Sequence, residues 1–299
     1  MLRDHRTGAL LILCALLAAA ALAAGHARAQ RVLEQSVDYP GSEGDMPAHL
    51  YMPEGGGRRP GVLVVHTSAG PGPNLEAFAR RLAAEGFVTM TPDLFTLHDF
   101  GPEGRTDHPL VLGDLDGALR FLRAQPSVDP SRTAVVGFSF GGRLAVLAAA
   151  RHPDIMAVVV YYAVASFQEL GRERPVGEPA LRTRPLTEVA AAVRAPVLIH
   201  HGEADRTVPA SQGALLHRAL VAAGGSSALH LYPGADHLFN FALGAEALPA
   251  REPIVEDGAT IERELRVGYR ERVGPVQAPP RRLTLRRVDR GSGRRAGEG

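Results

Sequence analysis

The stretch GFSFGG, residues 137–142, decides the fold of this chain. It lies between an apolar run over residues 134–136 and a helix-like run over residues 144–151. This order predicts a strand, a sharp turn and a helix, with Ser139 at the apex and small residues on either side that let the turn close. Glycine supplies 33 of the 299 residues, so the motif is also compatible with a Gly-rich turn that has no chemical role.

The runs around this motif alternate between strand-like and helix-like patterns. Continuous apolar runs are typical of strands that are buried on both faces of a parallel sheet. Strands are predicted over residues 32–37, 49–52, 62–65, 88–91, 134–136, 157–161, 197–200 and 228–232. Helices are predicted over residues 74–85, with Asn74 as the cap, and over residues 111–122, 144–151 and 214–221. The alternation predicts a single α/β domain over residues 30–276, with a mostly parallel sheet and helices on both faces.

Two candidate partners for Ser139 follow later strands. Asp205 lies in HGEADRTVP, residues 201–209, and His237 lies in YPGADHLF, residues 232–239. The carboxyl ends of parallel strands meet at one edge of a sheet, so we expect these three side chains to converge there. A serine hydroxyl needs an adjacent base, and that base needs an acid to orient it. The order Ser139, Asp205, His237 therefore predicts an α/β-hydrolase fold with a catalytic triad.

Such a triad also needs donors for the oxyanion that forms when a serine attacks a carbonyl group. One candidate is the backbone N–H of Phe140, at the start of the helix that follows the turn. The second is the backbone N–H of Ser68, in the loop after the strand at residues 62–65. His66 in the same loop is interpreted as a loop-positioning residue, with a direct catalytic role as the alternative.

Five blocks of the sequence together resemble the dienelactone hydrolase family of α/β-hydrolases. They are VLVVHTSAG (62–70), TPDLF (91–95), GFSFGG (137–142), HGEADRTVP (201–209) and YPGADHLF (232–239), and the resemblance covers about residues 45–245. It implies a single-domain hydrolase of small esters or lactones, with its triad at Ser139, Asp205 and His237.

The chain departs from the family pattern at its site. Where the resemblance implies a cysteine nucleophile and a glutamate that controls it, this chain has Ser139 and Thr67. Phe241 stands where an arginine would hold a substrate carboxylate, and Phe95 replaces a tyrosine. These changes predict a pocket that includes Thr67, Phe95, Phe138 and Phe241 and that prefers a less anionic, more apolar substrate.

The first 29 residues have the pattern of a secretory signal. Arg3 and Arg6 precede an apolar run over residues 9–24, and residues 27–29 form an AxA cleavage site. The run is shorter than the roughly 20 residues that a spanning helix needs, which favours export over the alternative of a membrane anchor. We therefore expect a mature chain that begins at Gln30, without stable membrane insertion, in the periplasm or secreted to the medium.

Charge and cysteine content argue against other functions. Residues 30–276 carry 23 arginines and 29 acidic side chains, and this net charge of −6 argues against nucleic-acid binding. The one cysteine, Cys14, lies within the predicted signal, so the mature chain has neither a disulfide nor a thiol nucleophile. Residues 277–299 hold seven arginines and few apolar residues, which predicts a basic, disordered tail.

Several other residues could be given a chemical role, but the sequence around them does not support one. His200 and His201 adjoin, but neighbouring strand residues point to opposite faces, so we expect no metal site there. No phosphate-binding glycine motif follows a strand, and no cofactor is expected. Asp236 is interpreted as a residue that faces away from the site or holds its loop. The long polar stretch over residues 163–194 is predicted to be a lid or specificity insertion.

These patterns predict an exported, cofactor-independent serine hydrolase that cleaves a small-molecule ester or lactone and acts as a monomer or homodimer. An amidase or peptidase of the prolyl-peptidase-like type is the alternative on the same fold. A catalytically silent binding protein is the alternative from another class. The intact set of Ser139, Asp205 and His237 favours an enzyme over the silent protein.

Overall fold

The computed structural model of the chain describes residues 31–98, 107–242 and 254–256. The predicted signal over residues 1–29 and the predicted tail over residues 277–299 lie outside the described residues. The strands are β1 (Val32–Pro40), β2 (Asp45–Pro53), β3 (Arg59–Val65), β4 (Val88–Pro92), β5 (Val128–Phe138), β6 (Ala157–Tyr161), β7 (Val197–Gly202), β8 (Ser227–Tyr232) and β9 (Ile254–Glu256). The helices are α1 (Pro73–Ala84), α2 (Pro109–Ala124), α3 (Phe140–Arg151), α4 (Phe167–Glu173), α5 (Glu178–Leu181), α6 (Ala210–Ala222) and α7 (Phe239–Ala242).

The strands form one mixed sheet in the order β1-β2-β4-β3-β5-β6-β7-β8-β9. Strands β3 to β8 pair in parallel, whereas β1, β2 and β9 join the sheet through antiparallel pairs. The carboxyl ends of the parallel strands therefore share one edge, where loops can carry reactive side chains. This arrangement confirms the predicted α/β fold.

Helices cover both faces of the sheet, as the sequence predicts. Apolar residues of α2, α3 and α6 pack against one face in a large core cluster. On the other face, Leu75 of α1 lies in a second cluster, with Phe78 and Leu82 packed against it. Because both faces are covered, the central strands read as continuous apolar runs rather than as alternating ones. None of the helices in the described ranges is long and apolar enough to cross a lipid bilayer.

Some predicted boundaries differ from the structure. The prediction that Asn74 caps a helix is wrong: α1 begins at Pro73 and its cap is Gly72, which has no side-chain hydrogen bond. Proline fits the first turn because its missing N–H has no helical partner there and its φ is already helical. Strand β5 begins at Val128, earlier than predicted, because its first residues pair with β3 before a shift in register. The sequence also gave no prediction for β9, which is only three residues long.

Residues 163–194, which connect β6 to β7, fold into α4, α5 and two short 3-10 turns, Leu186–Glu188 and Ala190–Ala192. Leu186 and Val193 belong to the main core cluster. We call this segment the insertion. Its predicted role as a lid or specificity element stays a prediction.

A buried arginine anchors the insertion to helix α3. The side chain of Arg143 is almost fully buried and donates to the carbonyl oxygens of Val164 and Arg184. Its guanidinium also binds both carboxylate oxygens of Asp107, so the buried charge has a partner. The insertion therefore packs on the same helix that follows Ser139.

Helix α6 provides a second anchor. The side-chain oxygen of buried Gln212 accepts hydrogen bonds from the backbone N–H groups of Ala165 and Ser166, at 3.1 and 3.0 Å. Arg174, at the end of α4, donates to the carbonyl oxygen of Thr207 at 2.6 Å. The insertion thus contacts the loop that carries Asp205 as well as the helix that follows Ser139.

Candidate active site

Ser139 occupies the sharp turn between β5 and α3. Its φ of 53° and ψ of −111° place it in a region that L-residues seldom adopt. Its backbone N–H donates to the carbonyl oxygen of Tyr161 at 2.9 Å, and its carbonyl oxygen accepts from the N–H of Arg143 at 3.2 Å. These bonds hold the strained residue in place, as at the nucleophile elbow of serine hydrolases.

The glycines around Ser139 are required by close backbone contacts. A Cβ atom on Gly137 would lie 2.0 Å from the carbonyl oxygen of Gly141. A Cβ atom on Gly141 would lie 2.4 Å from the carbonyl oxygen of Val65 in the neighbouring strand β3. Real Cβ atoms cannot approach backbone that closely, so the small residues of the motif let β5, α3 and β3 meet.

The structure brings the three predicted triad residues into one hydrogen-bonded chain. His237 Nε2 lies 3.1 Å from Ser139 Oγ, and His237 Nδ1 lies 2.7 Å from Asp205 Oδ2. The Asp205 side chain is fully buried, whereas 12% of the His237 side chain is exposed. In this geometry the carboxylate fixes the proton on Nδ1 and leaves Nε2 free to accept the serine proton.

The other oxygen of Asp205 is occupied by backbone. Asp205 Oδ1 accepts hydrogen bonds from the N–H groups of Thr207 and Val208, at 2.9 and 2.8 Å. Because both donors come from the loop that follows Asp205 in the chain, they set the orientation of the carboxylate. Oδ2 is then the oxygen that faces the imidazole.

His201 lies behind this carboxylate. It is fully buried, its Nε2 donates to the carbonyl oxygen of Val208 at 2.8 Å, and it lies 3.6 Å from Asp205 Oδ2. Burial lowers the pKa of the His201 imidazole, so the ring is neutral and supports the Asp205 loop as a hydrogen-bond donor.

His200 belongs to the opposite face of the sheet. Its Nδ1 lies 2.7 Å from the hydroxyl oxygen of Tyr232, and its ring stacks on those of Tyr161 and His230. Burial, with a smaller contribution from His230, lowers the pKa of His200 to about 3. Within residues 31–98 and 107–242, no group of three or more His, Cys, Asp or Glu side chains could hold a metal ion.

Asp236 connects the loops that carry Asp205 and His237. It accepts hydrogen bonds from the backbone N–H of Arg206 at 3.0 Å, from Arg206 Nε at 2.8 Å and from the N–H of His237 at 2.8 Å. These donors, the backbone N–H of Arg206 first, lower the pKa of Asp236 to about 2. The residue next to the histidine is therefore a loop clamp, and Asp205 is the carboxylate that contacts the imidazole.

The predicted oxyanion donors are backbone N–H groups in the loop after β3 and at the start of α3. His66 is fully buried: its Nδ1 lies 2.7 Å from the carbonyl oxygen of Thr67, and its Nε2 accepts from the N–H of Leu94 at 3.1 Å. These bonds require the neutral tautomer with the proton on Nδ1, which suits a positioning residue. Ser68 lies at the exposed tip of the turn, and Phe140 is the first residue of α3. Their roles as oxyanion donors stay predictions.

The predicted pocket residues fall into different environments. Phe138 has no exposed surface and packs at 5.0 Å from Phe78 and 4.8 Å from Phe241, measured between ring centroids. It is a core residue and offers no surface to a ligand. The Phe95 ring lies edge-on to the ring of buried His66, with 4.6 Å between the ring centroids. Thr67, Phe95 and Phe241 are partly exposed.

Sequence reasoning missed Tyr162, whose ring lies 4.5 Å from that of His237. It belongs to no motif, and its position after β6 gave no signal of this contact. Its φ of 41° is one of four positive values among the described non-glycine residues. Ser139 and Leu238 supply two of the others, so three of the four strained positions lie at the Ser139–His237 pair.

Comparison with known proteins shows which family this chain resembles in sequence. The model of the dienelactone hydrolase family matches residues 46–257. A candidate carboxymethylenebutenolidase of Methylorubrum extorquens is 30% identical over 225 residues, which cover 71% of this chain and 74% of that protein. A Bradyrhizobium protein named as a probable 2-oxo-3-(5-oxofuran-2-ylidene)propanoate lactonase is 31% identical over 203 residues, 64% of this chain and 78% of that protein.

Solved structures agree in fold. The crystal structure of a candidate dienelactone hydrolase from Klebsiella pneumoniae superposes with a TM-score of 0.60 and 27% identity, over 71% of this chain and 90% of that one. An acylaminoacyl peptidase of Pyrococcus horikoshii reaches a TM-score of 0.59 at 16% identity, over 71% of this chain and 38% of that one. The second likeness shows the fold alone.

Proposed function

The chain belongs to the dienelactone hydrolase family, and from that premise we propose that it is a serine hydrolase of a small, neutral carboxylic ester or lactone. The observation that carries the proposal is the hydrogen-bonded chain from Ser139 Oγ through His237 to Asp205. A serine in a strained elbow, with a base at one hydrogen-bond distance and a buried acid behind it, is the arrangement that acyl transfer requires.

In the proposed reaction, Ser139 Oγ attacks the carbonyl carbon while His237 Nε2 takes the hydroxyl proton. The tetrahedral intermediate collapses when His237 returns this proton to the leaving alcohol oxygen, which leaves an acyl-serine. Water, deprotonated by the same nitrogen, then attacks the acyl carbon. His237 returns this proton to Ser139 Oγ as the bond from Oγ to the acyl carbon breaks, which releases the acid and restores the serine hydroxyl. In a lactone the alcohol and the acid stay joined in one product.

Asp205 has two tasks in this cycle. It keeps the imidazole proton on Nδ1, so that Nε2 presents a lone pair to Ser139, and it stabilises the imidazolium that forms. Its burial strengthens the interaction with the imidazolium, and the donors to Oδ1 prevent the carboxylate from turning away. The N–H groups of Phe140 and Ser68 are proposed to bind the oxyanion.

The proposed substrate class follows from the side chains at the site. The M. extorquens and Bradyrhizobium relatives carry the names of lactone-hydrolysing enzymes. Thr67 and Phe241 stand where the family resemblance implies ionisable side chains, and both are partly exposed. We propose that these replacements shift the preference from carboxylate-bearing lactones towards neutral acyl or alcohol groups.

The experiment that tests the proposal is hydrolysis of p-nitrophenyl acetate and butyrate by the wild type and by Ser139→Ala. We expect kcat to fall by about 10⁴-fold or more in the variant, since the triad acts as a unit. A fluorophosphonate probe should add to the wild type and not to the variant, as seen by intact mass.

Two outcomes would contradict the proposal. A folded wild type that neither hydrolyses nor labels would favour a catalytically silent protein. Faster cleavage of aminoacyl anilides than of esters would favour the peptidase alternative. Equal or faster turnover of carboxylate-bearing lactones would overturn the neutral-substrate part alone.

We also propose that the protein is exported. The support is the arrangement of Arg3, Arg6, the apolar run and the AxA site in residues 1–29. Intact mass of the protein recovered from its producing cells should correspond to a chain that begins at Gln30. A mass that retains residues 1–29 would contradict export with cleavage.

A further inference from the structure

We propose that Tyr162 and Asn240 are positioning residues for His237, which hold its ring in the plane that faces Ser139. The inference rests on the proposed function, since it concerns the same histidine. It assigns a role to a buried tyrosine and a buried asparagine that no motif in the sequence singles out.

The hydrogen bond to Asp205 is not sufficient to hold His237. It fixes the Nδ1 edge of the imidazole at 2.7 Å from Asp205 Oδ2. The ring can still rotate by small angles about the χ1 and χ2 torsions of the histidine while this hydrogen bond is kept, and such rotation would carry Nε2 away from Ser139. A contact against the face of the ring is needed to stop it.

Tyr162 supplies that contact. The centroids of the Tyr162 and His237 rings are 4.5 Å apart, with the ring planes inclined at 57°. Tyr162 is fully buried, so it does not reach a substrate and cannot be a catalytic residue itself. Its action on the reaction would pass through the histidine.

The backbone of Tyr162 is strained to make this contact. The residue follows directly after β6, has a φ of 41° and donates its N–H to the carbonyl oxygen of His200 at 2.8 Å. A positive φ is unfavourable for a bulky L-residue. The strained residue is the one whose ring packs on His237, and strain of this kind collects at functional sites.

Asn240 fixes the far end of the Tyr162 ring. The Tyr162 hydroxyl donates to Asn240 Oδ1 at 2.6 Å, and Asn240 lies in α7, three residues after His237. Asn240 is 7% exposed, and its Nδ2 has no hydrogen-bond partner among the described residues. The bond from Tyr162 therefore orients the Asn240 amide, and it ties the end of β6 to the segment that carries the histidine.

The test is Tyr162→Phe, which keeps the ring and removes only the hydroxyl. We expect kcat for p-nitrophenyl butyrate to fall about 10-fold, with KM unchanged within about twofold, because misalignment of the base affects the transition state rather than binding. Asn240→Ala should have a similar effect. The double variant should lose no more than either single variant, since both remove the same bond.

Tyr39→Phe is the matched control. Tyr39 is also fully buried, and its hydroxyl has no hydrogen-bond partner among the described residues. Removal of this hydroxyl should leave kcat unchanged. A Tyr162→Phe variant that lowers the unfolding midpoint but retains full kcat would overturn the proposal, as would additive losses in the double variant.

A second readout separates this inference from the proposed function. The proton on His237 Nδ1, shared with Asp205, should give a low-field NMR resonance. We expect Tyr162→Phe to shift or broaden it, and Tyr39→Phe to leave it unchanged. An inactive wild type would contradict the proposed function, and this resonance would still decide the positioning role. An unchanged resonance in Tyr162→Phe, with Ser139-dependent activity intact, would overturn the positioning role alone.

Discussion

His237–Asp205 and His98–Asp114 are two His–Asp pairs with nearly the same inner geometry. The nitrogen–oxygen distances are 2.7 and 2.5 Å, and both carboxylates are fully buried. In each pair one carboxylate oxygen accepts from backbone N–H and the other faces the imidazole. Their surroundings differ, and the difference shows what turns such a pair into a candidate site.

The second nitrogen of each imidazole faces a different partner. His98 Nδ1 lies 3.7 Å from a carboxylate oxygen of Glu43, and only 1% of the His98 side chain is exposed. His237 Nε2 faces the hydroxyl of Ser139, and its side chain is 12% exposed. We therefore expect the His98–Asp114 pair to have a structural role. In the His237–Asp205 pair, the Ser139 hydroxyl lies on the second nitrogen at an edge that solvent reaches, and we expect this to give the pair a chemical use.

The largest expected effect comes from exchanging the carboxylate for an amide in each pair. In Asp205→Asn, we expect kcat to fall by about 10⁴-fold, because the amide NH₂ donates to Nδ1 and forces the imidazole proton onto Nε2. In Asp114→Asn, kcat should stay within about threefold of the wild type, while the free energy of unfolding falls by about 1–3 kcal/mol. Ester kinetics and urea unfolding of both variants check the contrast.

Equal losses of kcat in the two amide variants would contradict this comparison. That result would mean that the His98–Asp114 pair acts on the site rather than on the fold. Unfolding curves are the necessary control, since a variant that is partly unfolded at the assay temperature loses activity for a trivial reason.

The next effect comes from distorting the turn that carries Ser139, with both His–Asp pairs left intact. In Gly137→Ala, the new methyl group would lie 2.0 Å from the Gly141 carbonyl oxygen, so the elbow cannot close. We expect a loss of about 3 kcal/mol or more in stability and a fall of about 10²-fold in kcat.

Gly56→Ala is the matched control for the elbow variant. No atom lies within 4 Å of a Cβ at Gly56, so this change should be neutral. The thermal unfolding midpoint and the rate of fluorophosphonate labelling should be measured for both variants. Full labelling of Gly137→Ala at the wild-type rate would show that the elbow tolerates a side chain at this position.

The smallest expected effect concerns Asp236, the clamp that joins the loops of Asp205 and His237. The pKa of Asp236 is about 2 in the folded protein, below its ordinary value of 3.8. A carboxyl whose folded pKa is lowered stabilises the fold above the unfolded pKa and loses this effect as the pH falls through the folded pKa. Asp236→Ala should therefore be less stable than the wild type above about pH 4, and the gap should close towards pH 2.

Unfolding midpoints of the wild type and Asp236→Ala between pH 2 and pH 7 check this dependence. We expect kcat of the variant at pH 7 to fall only about threefold, since Asp236 touches neither reacting atom and acts through loop position. A stability gap that stays constant down to pH 2 would show that the carboxylate charge is not what holds the loops.

The sequence predicted the parts of the molecule that depend on order along the chain. The alternation of apolar runs gave the sheet and the helices on both faces. The positions of Ser139, Asp205 and His237 after the ends of β5, β7 and β8 predicted that they would meet, and the structure brings them to 3.1 and 2.7 Å. The three residues meet because the strands pair in parallel, so that the loops after their carboxyl ends lie at the same edge of the sheet.

Features that depend on packing between distant segments left no such signal. Phe138 lies next to Ser139 and was predicted to line a pocket, but it has no exposed surface and packs against the rings of Phe78 and Phe241. Tyr162 contacts His237 and has a positive φ, and neither the contact nor this backbone angle can be predicted from the residue type. The helix cap is Gly72 and not Asn74 because Pro73 is the first helical residue.

The anchors of the insertion bear on how this segment can change over evolutionary time. Arg143 and Gln212 bind Val164, Arg184, Ala165 and Ser166 through their main-chain carbonyl and N–H groups. With the exception of proline, which lacks the N–H, every residue type offers these same groups. Ala165 and Ser166 are buried, and the Ser166 hydroxyl caps α4, so their side chains are constrained. At Val164 and Arg184, which are partly or fully exposed, mutation can therefore change the side chain while the segment keeps its place beside the helix that follows Ser139.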